Sequence, residues 1–117
     1  MEGKAVVGTI VSLDNEATAG VMSKAGFDFI LIDTQHTPIG PDSLSSIIMR
    51  LQPTESDIVV RVVYNEPWYI NMAYDVGADG VIVPMTNNPD DVRRAVSASK
   101  YPPDGVRSWG PKNTAKY

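Results

Sequence analysis

A chain of 117 residues, 43% hydrophobic and 21% charged, has the makeup of one small folded domain with a modest core, which excludes a disordered or low-complexity protein. Its formal net charge of -4, with 14 acidic side chains against 10 basic ones, excludes the clustered basic face that nucleic acid requires. The absence of cysteine excludes disulfides, thiolate metal sites and thiol nucleophiles, and no window is apolar enough to span a membrane or to act as a leader, so a cytoplasmic protein is the expectation.

In chain order, Ala5 to Leu13 is rich in β-branched residues and predicts a strand, with Gly8 marking a close backbone approach. Asp14 and Asn15 are capping residues ahead of a helix over Glu16 to Lys24, which Ala25 and Gly26 end. Phe27 to Asp33 is an uninterrupted apolar run closed by a carboxylate, the signature of a strand buried on both faces. A polar loop, Thr34 to Gly40, carries Gln35 and the only histidine, His36. Pro41 opens a second helix, with Leu44, Ile47, Ile48 and Leu51 as its apolar stripe, and Pro53 stops it. Asp57 to Val63 predicts the third strand, and Pro67 opens a helix that Gly77 ends. The fourth strand spans Gly80 to Met85, and the fourth helix runs from Pro89 to about Lys100 with Asp90 and Asp91 at its electropositive start.

Strict strand–helix alternation predicts a parallel α/β sheet with right-handed crossovers. Two architectures fit: a small open doubly wound sheet, or half of an eight-unit barrel. The segment after the turn Tyr101 to Gly105 favours the second, because Arg107 and Trp109 are costly to leave unpaired and nothing in the sequence remains for them to pack on. Residues 1–104 therefore read as a (βα)4 half-barrel, and 105–117 as a tail that would continue into a second half.

Chemistry concentrates at the end of the second strand. Imidazole titrates near neutral pH, so His36 is either a general acid/base or a loop residue without a role. Arg61 lies in a run otherwise built for burial and needs a partner, which is Asp57 or Asp33 if the pair is structural. Its functional reading is a fork for a carboxylate or a developing oxyanion. Asp75 falls in the C-terminal turn of the third helix, where the macrodipole disfavours it, and so predicts a structural pair or a partnership with His36. Asp90, Asp91 and Asp104 read as caps and turn residues. There is no dinucleotide fingerprint, P-loop, serine nucleophile elbow or H-E-x-x-H.

The ordered series FILIDTQHTP, VVRVVYNEP, AYDVGADGVIVPM and KYPPDGVRSWGP resembles the N-terminal half of the HpcH/HpaI aldolase family, the 2,4-dihydroxyhept-2-ene-1,7-dioate aldolases and their relatives. The resemblance implies a TIM barrel and a class II lyase, in which a divalent metal (magnesium, manganese or cobalt) binds pyruvate as its enolate and an aldehyde is joined to it or released. By position, it implies that His36 is the acid/base, Asp75 its paired carboxylate and Arg61 the group that holds the keto oxygen. Arg107 would shape the acceptor end of the pocket, while Asp33 and Gln35 would face the water shell of the metal. Gln35 stands where many relatives have Glu, and the family's direct metal ligands, a Glu and an Asp, lie beyond Tyr117, so no metal ligand is expected in this chain. The expected partners are pyruvate, an aldehyde, and a second copy or complementary half-barrel. A rival expectation is a non-catalytic half-barrel that pairs with another chain or binds a small acid; a third is another pyruvate or phosphoenolpyruvate enzyme of barrel architecture.

Overall fold

A computed structural model describes residues 3–110. Its strands are β1 (Gly8–Val11), β2 (Phe29–Asp33), β3 (Asp57–Arg61) and β4 (Gly80–Ile82). They alternate with helices α1 (Glu16–Met22), α2 (Pro41–Leu51), α3 (Pro67–Asp75) and α4 (Pro89–Ser99). The helix boundaries follow local chemistry. The side chain of Asn15 accepts the amide of Thr18 at the start of α1, and that of Asn88 accepts the amides of Asp90 and Asp91 at the start of α4. After α1 a short 3-10 turn, Ser23–Ala25, leads into Gly26 in the left-handed region. None of the helices among the described residues is long and apolar enough to cross a membrane.

The strands are shorter than their apolar runs. Val7 still exchanges bonds with Asp28, but the ladder starts only at Gly8. At β4 the ladder stops at Ile82, just before Pro84, which has no amide hydrogen, and Met85, which takes a positive φ. Gly8 owes its identity to a side chain: a Cβ there would lie 2.2 Å from the ring of Phe29 on the neighbouring strand.

Strand order decides between the two architectures. Every pair is parallel and the order is β1-β2-β3-β4, so each strand lies beside the next in sequence with no reversal. A doubly wound sheet reverses at a switch point and carries helices on both faces. Here right-handed crossovers all return the same way, so the helices share one face. Core composition shows this directly. Val11, Ile30, Ile32, Ile58, Val60 and Val62, strand positions of one parity, are buried with Leu44, Ile47, Ile48, Leu51, Ile70 and Ala73 from the helices. Side chains of the opposite parity face away from the helices, and three large apolar ones are open: Ile10 is 53% exposed, Val63 38% and Ile82 44%. This is the arrangement of an arc of a barrel, with helices outside and the future lumen uncovered.

Candidate active site

Asp33 is the last residue of β2 and Arg61 the last of β3, and the parallel register sets them directly side by side. Both have the parity of the helix-free face. Arg61 donates from Nε to Asp33 Oδ1 at 3.0 Å and from Nη2 to Oδ2 at 2.6 Å, a two-point fork that is more directional than a single ion contact. Of the two partners open to Arg61, the structure selects Asp33, since Asp57 lies at the opposite end of β3.

The same carboxylate organises the loop. Asp33 Oδ1 also accepts the backbone amides of Gln35 at 2.9 Å and His36 at 3.3 Å. The guanidinium of Arg61 holds the Asp33 carboxyl below the usual carboxylate range; burial opposes this, and the two amides reinforce it. Reciprocally, the bond to Asp33 raises the Arg61 guanidinium further above its already high value.

Two threonines complete the turn. Thr34 donates its hydroxyl to the carbonyl of Arg61 at 2.7 Å, and its amide reaches the same oxygen at 3.0 Å, sealing the β2–β3 junction. Thr37 donates to the carbonyl of Asp33 and accepts the amide of Ile39, whose side chain is buried. Sequence reasoning passed over both; for Thr37 the available signal was a hydroxyl residue four positions beyond a strand-terminal Asp, a spacing at which such side chains bond nearby backbone, whereas the bond of Thr34 crosses to β3 and has no local signal. His36 itself is exposed, held through its main chain, and Gln35 is half-buried beside it.

Asp75 and Arg107 are elsewhere. Helices in such a unit run antiparallel to the strands, so α3 starts near the Arg61 end and Asp75, its last residue, arrives near the start of β4. There Arg107 Nη2 donates to Asp75 Oδ1 at 3.0 Å, and the guanidinium lies 4.8 Å from the Tyr74 ring and 4.7 Å from the Tyr101 ring. Arg107 is buried, against the expectation that its segment has nothing to pack on. Asp75 thus forms an ion pair with Arg107, and both lie toward the start of β4, while His36 and Arg61 stand at the ends of β2 and β3. The site at the C-terminal strand edge thus gathers Asp33, Arg61, Gln35 and His36. Residues 111–117, the end of the expected tail, lie outside the described residues.

Comparison with known proteins matches this arrangement to one family. The model of the HpcH/HpaI aldolase/citrate lyase family matches residues 7–116. The chain belongs to the HpcH/HpaI family. It is 37% identical over 108 residues to a 4-hydroxy-2-oxo-heptane-1,7-dioate aldolase of Salmonella paratyphi B, a match that covers 92% of this chain and 41% of that protein. Among solved structures it resembles an HpcH/HpaI aldolase/citrate lyase family protein from Burkholderia cenocepacia, with a TM-score of 0.88 and 30% identity, over 97% of this chain and 47% of that one. It also resembles the citrate synthase SbnG, with a TM-score of 0.85 and 31% identity, over 92% of this chain and 44% of the other. The chain therefore spans less than half the length of these HpcH/HpaI relatives, and its fold is that of the N-terminal half of their TIM barrel.

Metal-dependent chemistry is general among HpcH/HpaI aldolases, but the described residues do not by themselves fit a metal. No group of three or more His, Asp or Glu side chains among them is arranged to hold one. Asp33, the best placed carboxylate, already has both oxygens engaged by Arg61, with two amides on one of them.

Proposed function

We propose that this chain carries the anion-binding and proton-transfer part of a pyruvate aldolase, acting on a 2-keto-4-hydroxy acid that is split into pyruvate and an aldehyde or made from them. One observation carries the reading: a guanidinium fixed by Asp33 at the C-terminal strand edge, beside the loop bearing His36, in a chain of the aldolase family. The outward edge of Arg61 suits the keto oxygen and carboxylate of the substrate, and its charge opposes the negative charge that builds up there. In cleavage, His36 accepts the proton of the C4 hydroxyl. The pair left on the C4 oxygen becomes the second bond of the aldehyde carbonyl as the C3–C4 bond breaks, and the C3–C4 pair passes into the pyruvate enolate, whose C3 then takes a proton from water. Gln35 contributes a neutral amide near the reacting atoms.

The test is pyruvate release from a 4-hydroxy-2-oxo acid with added magnesium, manganese or cobalt, together with exchange of the C3 protons of pyruvate into heavy water. Release and exchange that disappear in Arg61→Lys, with release weakened in His36→Ala, support the reading. An inert protein, or one indifferent to both substitutions, overturns it.

A second reading, a non-catalytic half-barrel that pairs with another chain, is favoured by the exposed Ile10, Val63 and Ile82 on the helix-free face. Analytical ultracentrifugation distinguishes it: a concentration-dependent dimer without pyruvate chemistry supports pairing alone.

A further inference from the structure

We propose that Asp33 is a positioning residue, whose carboxylate aims the free edge of the Arg61 guanidinium at an anionic ligand and locks that edge to the loop carrying His36. The inference rests on the aldolase reading and deepens it by naming the group that sets the direction of the arginine.

Geometry supplies the argument. Asp33 is 4% exposed, so it does not meet a ligand itself. Its Oδ2 accepts Arg61 Nη2 at 2.6 Å, and its Oδ1 accepts Arg61 Nε at 3.0 Å. Those bonds use the Nε hydrogen and one Nη2 hydrogen of a planar, rigid fork. No other hydrogen bond from the Arg61 side chain is present among the described residues, which leaves Nη1 and the second Nη2 hydrogen on the edge turned away from Asp33. The side chain of Arg61 is 31% exposed, so that edge is reachable.

The second half of the argument is the loop. Through the amides of Gln35 and His36, the oxygen that orients Arg61 also sets the start of the loop, so guanidinium and imidazole are referred to one carboxylate. A ligand held between them would meet groups whose separation is settled before it arrives, which reduces the ordering cost of binding. Asn at this position keeps the size but offers one acceptor oxygen and an amide that donates toward a donor, so the fork loses its second point.

The experiment follows two readouts on the protein. The first is solvent exchange of the Arg61 Nε hydrogen by nitrogen-15 NMR. The second is calorimetric titration with oxalate, a planar diacid resembling the pyruvate enolate, with and without magnesium. A protected Nε hydrogen in the wild type, lost in Asp33→Asn together with at least a tenfold weakening of oxalate binding in folded protein, supports the proposal. A wild-type Nε hydrogen that exchanges freely overturns the geometry. Protection in the wild type with equal oxalate affinity in Asp33→Asn overturns the positioning role and leaves the aldolase reading standing. Protection without any binding of oxalate or pyruvate by the wild type overturns the aldolase reading and the role with it. The protection measurement needs no variant; where Asp33→Asn does not fold, Asp33→Glu, with the same charge on a longer arm, is expected to weaken oxalate binding likewise, and unchanged affinity there overturns the role.

Discussion

Replacing Arg107 with Met removes a charge from between two aromatic rings while keeping most of the volume there. The guanidinium lies 4.8 Å from the Tyr74 ring and 4.7 Å from the Tyr101 ring, and the residue is 5% exposed. Two such contacts, taken at about 1 kcal/mol each, contribute about 2 kcal/mol. The bond to Asp75 adds about 0.5 to 1 kcal/mol, discounted because the Asp75 side chain is 42% exposed. Against this, Arg107 Nε is buried without a partner among the described residues, and removing it recovers about 1 kcal/mol of desolvation. The net loss is about 2 kcal/mol, which at about 4 °C per kcal/mol lowers the melting temperature by about 8 °C. Thermal unfolding followed by circular dichroism measures it. Trp109, two residues further on and 68% exposed, is the control: Trp109→Ser is expected to stay within about 0.5 kcal/mol of the wild type. Equal melting temperatures for Arg107→Met and the wild type would refute the clamp.

Gly77 adopts a φ of 112°, and a Cβ there would come within 2.5 Å of Gln52 Nε2, so Gly77→Ala is expected to cost more than about 1 kcal/mol in urea denaturation, and a neutral result would show that the turn relaxes freely. Asp33 titrates near 3.8 when unfolded and at a lower value when folded. Its pairing therefore contributes stability above about 3.8 that is lost as the pH falls through the depressed folded value. Stability measured at pH 5 and pH 3 should fall more steeply in the wild type than in Asp33→Asn, and parallel losses would count against the pairing.

Much of this organisation was legible in the sequence because it is local. Pro41, Pro67 and Pro89 each open a helix as their fixed φ requires, and Gly26 and Gly77 each take the positive φ that ends one. Arg61 announced its need for a partner, since an apolar strand offers no other way to satisfy it. Which partner it takes depends on register: Asp57 and Asp33 are both carboxylates at strand ends, and only the pairing of Asp33 with Arg61 across β2 and β3 separates them. Strand order was likewise invisible, because alternation is the same for sheets wound in one direction or two. The placement of Asp75 and Arg107 depends on the running direction of α3 and on stacking with Tyr74 and Tyr101, contacts between distant segments with no short-range signature.

The ring of Phe29 lying across Gly8 has a consequence for what the helix-free face can accommodate. Along β2, Phe29, Leu31 and Asp33 point to that side in succession, so the lumen is built in storeys: an aromatic floor, an aliphatic middle and an ionic rim. The rim carries the Asp33–Arg61 pair and the floor carries the exposed Asp57 beside Phe29, while Leu31 and Val59 keep the middle storey apolar. A molecule entering from the rim meets the ionic pair first and an aliphatic layer directly beneath it.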